Sequence, residues 1–177
     1  MPALRWLSAL FLLSLAACSP VTVQDYAGEQ PALVPERFFN GQLVAHGVIK
    51  DRAGEVTRRF VADIDASWEN GVGTLDESFT FNDGSTDTRI WTLRPAGDGR
   101  YVGTAGDVVG PGELTLAGNA LFLDYVLRVP WRDGSIDLRI DDRMYLVDEQ
   151  TLINESVMYK FGFRVGEILL VIRRLGP

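Results

Sequence analysis

The 177-residue sequence predicts an all-β protein. The expected architecture is an antiparallel up-and-down, lipocalin-like barrel of about nine or ten strands, preceded by a signal peptide and a flexible tether. Three observations predict it. From Phe38 onward, apolar runs alternate with Gly, Asn and Asp turn signals at intervals of roughly a dozen residues. No stretch carries an amphipathic helical period over three turns. A long series of hairpins must also hide its two edge strands, and closure does so completely. Strands of this length in ~140 residues fit a barrel better than a sandwich.

The first element is residues 1–17. Arg5 is followed by the apolar run Trp6 to Leu13, too short for a spanning helix of ~20 residues. Ala16 and Ala17 are small residues that fit a signal peptidase, and Cys18 is the only cysteine in the chain. Leu15-Ala16-Ala17-Cys18 resembles the bacterial lipobox. That resemblance implies a diacylglycerol thioether on Cys18, which becomes the mature N-terminus and holds the protein to a membrane. An acyl chain contributes ~0.8 kcal/mol per buried CH₂, so several chains on one residue anchor firmly. Ser19 follows rather than Asp; in a didermic source this favours the periplasmic face of the outer membrane. No disulfide can form within the chain.

Residues 18–36 read as the lipidated tether. Pro20, Pro31, Pro35 and Gly28 break any period, and the stretch reaches up to ~50 Å if extended at ~3 Å per residue. Residues 37–177 form the β-barrel domain. Its expected strands are residues 42–50, 56–66, 73–81, 86–94, 100–106, 113–117, 120–129, 135–147, 152–161 and 164–174. Turn signals lie between them, among them Asn82-Asp83-Gly84, Gly97-Asp98-Gly99, Gly118-Asn119 and Asp133-Gly134.

Residues 83–90 recur as residues 133–140, both beginning Asp-Gly-Ser, which suggests that the two hairpins close alike. With Asp133-Gly134 as a two-residue loop, Val129 faces Leu138, Leu127 faces Ile140, Leu123 faces Met144 and Leu121 faces Leu146. The exception is Tyr125, set against Asp142. For the first hairpin two registers are open. A three-residue loop puts Arg89 across from Glu77 and Trp91 across from Leu75; a copy of the second hairpin puts Ile90 there instead. Charge pairing favours the three-residue loop. Which face of residues 152–161 points inward is open: Asn154, Met158 and Lys160 share one, Glu155, Val157 and Tyr159 the other.

Glu77 and Asp142 thus lie on apolar strand faces, where an unpaired carboxylate is expensive. Either they are ion pairs that fix register, or Glu77, Arg89, Tyr125 and Asp142 orient the head group of a ligand in an apolar cavity.

Other chemistry is thin, and the sequence points away from an enzyme. Loss of residues 1–17 leaves 16 cations against 24 anions, with no basic patch, which argues against nucleic acid. The single histidine, His46, has no Ser or Cys motif to serve, and Asp141-Asp142 point to opposite faces, so no metal, cofactor or catalytic residue is expected. Gly103, Gly106, Gly110 and Gly112 around Asp107 lack the following helix of a phosphate loop and indicate a bend or bulge.

Several short stretches together carry a resemblance from about Tyr26 to the C-terminus. They include Phe38-Phe39-Asn40-Gly41, Leu75-Asp76-Glu77-Ser78-Phe79, Arg89-Ile90-Trp91, Tyr101-Val102-Gly103-Thr104-Ala105, Asp141-Asp142-Arg143-Met144 and Lys160-Phe161-Gly162. The chain resembles a family of functionally uncharacterised bacterial lipoproteins. Arg143 departs from the Trp expected there, on a position that faces outward. The resemblance implies a lipoprotein and no mechanism. The expected function is a membrane-anchored carrier or binder of a lipid-like molecule; a filled barrel with a structural role in the envelope is the alternative.

Overall fold

A computed structural model describes residues 20–176; the lipobox and Cys18 lie outside them. Ten antiparallel strands close into one barrel: β1 (Gly41–Asp51), β2 (Val56–Glu69), β3 (Val72–Phe81), β4 (Thr86–Gly97), β5 (Arg100–Thr104), β6 (Gly112–Ala117), β7 (Ala120–Trp131), β8 (Gly134–Asp148), β9 (Thr151–Lys160) and β10 (Phe163–Arg174). Each strand pairs with its sequence neighbours, and β1 pairs with β10 to remove the last edges. All ten expected strands are present, most of them longer by one to three residues at an end.

Alternation sorts the two faces. On β2, Phe60, Ala62, Ile64 and Ala66 are buried, while Arg59, Val61, Asp63 and Asp65 are exposed. Leu43, Leu121, Ile140 and Leu152 are fully buried, the three leucines near the strand ends at which α1 (Pro35–Phe38) sits and Ile140 midway along β8. The outer face of the barrel is mixed, with Ile90, Ile153 and Leu169 exposed among charged side chains. No helix among the described residues is long and apolar enough to cross a membrane.

The two barrel ends differ. At one end, Leu33, Phe38 and Phe39 fill the opening around α1 (Pro35–Phe38). Trp68 Nε1 donates to the Phe39 carbonyl at 2.7 Å, and the Tyr101 hydroxyl donates to Glu36 Oε1 at 2.5 Å. At the other end, inward residues such as Phe79, Phe81, Ile136, Met158 and Ile168 are only half-buried. One end is closed by Leu33, Phe38 and Phe39, and the other, the mouth, is lined by side chains that water reaches.

The stretch read as a free tether is largely packed. Val23 and Leu33 are buried, the Leu33 amide donates to the Gly118 carbonyl at 2.9 Å, and Tyr26 meets the outward rings of Phe122 and Tyr145 at 5.9 and 5.2 Å. Apolar residues scattered without a period gave no sign of this, because they dock as single anchors. From Val23 onward the chain carries its own core and closing cover.

The second hairpin also departs from its expected register. Its loop is Arg132-Asp133, so Leu123 rather than Tyr125 faces Asp142, and Tyr125 faces Ile140. The slip is two residues, which leaves every side chain on its expected face. Apolar alternation cannot detect such a slip. Arg132 takes the left-handed conformation at φ 52°, and Gly134 belongs to the strand. The first hairpin keeps the three-residue loop, with Gly84 at φ 81°, Glu77 across from Arg89 and Leu75 across from Trp91. The repeated residues therefore close in two ways.

Candidate ligand site at the open mouth

Inside the barrel, toward the mouth, β3 and β4 bring Glu77 and Arg89 side by side because they are directly paired. Arg89 forks onto Asp107: Nε donates to Oδ2 at 2.9 Å and to Oδ1 at 3.1 Å, and Nη2 stands 2.8 Å from Oδ2. Its Nη1 lies 3.7 Å from Glu77 Oε2, beyond hydrogen-bond reach. Asp107 comes from the glycine-containing loop between β5 and β6. That loop is held along β7, where the Arg128 amide donates to the Asp107 carbonyl at 2.8 Å and the Val109 amide to the Val126 carbonyl at 2.8 Å.

Deeper lie Tyr125 and Asp142. Tyr125 packs edge-on against Trp91, with ring centroids 5.3 Å apart. Asp142 Oδ1 accepts from Ser156 Oγ at 2.8 Å and from Asn154 Nδ2. The open face of β9 is thereby settled: Leu152, Asn154 and Ser156 point inward. Phe60, Phe79 and Phe81 form an aromatic wall with centroid spacings of 5.6 to 6.2 Å.

Burial governs the electrostatics. It raises Glu77 to about 7, against the pull of Arg89 and with help from the charges of Asp107 and Asp142. It raises Asp142 to about 6, although the Asn154 and Ser156 donors oppose it. Burial also pushes the Tyr125 phenol up, so its hydroxyl keeps its proton. Desolvation works against the charge of Arg89, but the Asp107 hydrogen bonds hold its pKa above the ordinary value. Three carboxyl groups surround one guanidinium that is already committed. Glu77 Oε2 is sealed from solvent and accepts no hydrogen bond.

Glu77, Arg89, Tyr125 and Asp142 therefore all face one interior. Asp107 and Ser156 belong to the same group and were not among the expected site residues. Asp107 lies in a stretch with no strand period, so nothing local gives its direction. Ser156 becomes visible only once the inward face of β9 is known. His46 stands exposed on the outer wall, and the described residues contain no cluster of three or more His, Cys, Asp or Glu suited to a metal. Arg143 faces outward as expected, bonded to Asp141 at 3.0 Å.

The family described as "Protein of unknown function (DUF3833)" matches residues 12–174. The chain belongs to that family. No curated protein matches it. Among solved structures, this DUF3833 barrel is similar to the S-type phycobiliprotein lyase CPES from Guillardia theta, with a TM-score of 0.61 and 11% identity over 89% of this chain and 99% of that one. It is also similar to EF1p2_mFAP2b bound to DFHBI, with a TM-score of 0.44 and 8% identity over 80% of this chain and 100% of the other. The likeness to the lyase is one of fold: an all-β, lipocalin-like, up-and-down barrel.

Proposed function

We propose that this DUF3833 protein is a lipid-anchored envelope protein that binds a small hydrophobic molecule through the open half of its barrel. Glu77 carries the reading. A buried acceptor that accepts no hydrogen bond costs about 1–3 kcal/mol, which the Arg89 guanidinium at 3.7 Å offsets only in part, and a ligand donor placed against Oε2 would recover it. The half-open aromatic wall of Phe60, Phe79 and Phe81 supplies apolar surface beside this polar spot, the usual composition of a ligand site. The excess of carboxyl groups favours a head group that donates, such as an ammonium, amide or hydroxyl, over a fatty carboxylate. Leu15-Ala16-Ala17-Cys18 supports the anchor, and Ser19 the outer-membrane placement in a didermic cell.

The test uses the chain from Pro20 onward and N-phenyl-1-naphthylamine, a neutral fluorescent apolar probe. The probe should bind at the mouth. Dodecylamine should displace it at about ten-fold lower concentration than dodecanoate, and Glu77→Gln should erase that preference, as expected of one charge-assisted hydrogen bond. A chain that binds no probe and flies bare in a native mass spectrum would instead support an envelope protein with a structural role. The filled closed half of the barrel favours that second reading.

A further inference from the structure

Two neighbouring hairpin tips stand at the rim of the mouth. The β9–β10 tip carries Phe161 and Phe163, which are 87% and 72% exposed, and the β7–β8 tip carries Trp131, 57% exposed. Phe161 and Gly162 both take positive φ, 52° and 80°. Such a two-residue turn prefers Asn-Gly or Asp-Gly, and a bulky side chain in its first position is an outlier. The fold accepts local strain and holds an aromatic ring in water.

Cations accompany these rings. Lys160 Nζ lies 4.8 Å from the Phe161 centroid and donates to the Asp137 carbonyl at 2.8 Å, and the Arg132 guanidinium carbon lies 5.9 Å from the Trp131 centroid. Arg164 adjoins Phe163 and pairs with Glu167, while Asp133 shares the β7–β8 tip with Arg132. Aromatic rings with adjacent cations suit the boundary between lipid head groups and acyl chains.

We infer that this rim docks on a lipid bilayer, with Trp131, Phe161 and Phe163 entering the interface and the exposed Arg132 meeting lipid phosphates. The geometry argues against a protein partner. A stable protein interface takes about 20–30 residues a side, whereas two convex turn tips offer three large apolar side chains. A bilayer accepts such side chains singly.

The chain from Pro20 onward, mixed with vesicles of phosphatidylethanolamine and phosphatidylglycerol at 3:1, should show a blue shift of tryptophan emission and quenching by brominated lipid. Trp131→Phe should abolish both signals, because Trp91 is buried and Trp68 lies half-buried against the closed end. Phe161→Ser with Phe163→Ser should weaken partitioning at least about ten-fold, as removal of two apolar groups from the interface implies. Ile90→Ser, on the outer wall, should leave it unchanged. Phe161→Asn separates docking from folding: it should raise the melting temperature and weaken vesicle binding together. The inference is overturned if the wild-type chain ignores vesicles, or if the rim substitutions leave binding intact. It is equally overturned if these substitutions abolish self-association in sedimentation while no vesicle binding exists.

Discussion

Glu77 must trade charge against burial, and it does so near neutral pH. Its carboxyl pKa rises from an ordinary 4.5 to about 7 on folding, and that of Asp142 from 3.8 to about 6. An acid whose folded pKa is raised holds its proton more tightly in the folded state. Its stabilising contribution is complete below the unfolded pKa and is lost as pH climbs through the folded one. Stability should therefore decline between about pH 4.5 and 7 through Glu77, and level off above. Glu77→Gln should flatten this slope and leave the protein more stable at pH 8, on the order of 1–3 kcal/mol. Urea midpoints across pH read this directly, and an unchanged profile would mean that Glu77 meets water. At this scale the sequence told much about Glu77 and Arg89, because a charge on an apolar face demands a partner across the hairpin. It told little about Asp107, whose direction depends on a loop held by β7 backbone rather than by its own neighbours.

Elements were more legible than their registers. Period-two alternation and turn residues mark all ten strands, since each strand has one wet face and one dry. A two-residue slip preserves those faces, so the β7–β8 register depended on the left-handed Arg132, which residue type alone does not suggest. The N-terminal segment was the least legible element, because it docks through isolated side chains. Its contact is nonetheless specific. Gly118 has φ 53°, and a Cβ there would stand 1.9 Å from the Tyr26 carbonyl oxygen. Gly118→Ala should release residues 22–33 while the barrel stays closed, at a cost of about 1–3 kcal/mol. Hydrogen exchange at the Leu33 amide, bonded to Gly118, should accelerate far more than at strand amides. Equal protection in both proteins would show that the segment finds another seat.

On the scale of the whole molecule, the two barrel ends have different surroundings. Val23 to Tyr26 lie on the outer wall beside Gly118, so the chain reaches the barrel at its closed end. A lipid on Cys18, five positions before Val23, would moor that end to its own bilayer. The mouth would then stand off by the barrel's height, on the order of 30 Å for tilted strands of ten to fifteen residues. The aromatic rim would face away from the mooring, toward whatever lies across the gap. An acylated chain should accordingly act as a spacer, joining vesicles that carry it to vesicles that do not, with growth in particle size by dynamic light scattering. Cys18→Ser should abolish both the joining and incorporation of an alkynyl fatty acid, while Phe161→Ser with Phe163→Ser should abolish the joining alone. Acylated protein that leaves the vesicles dispersed would count against a two-ended molecule. If the vesicles do join, a ligand entering the mouth comes from the far side, and the protein moves it between surfaces rather than along one.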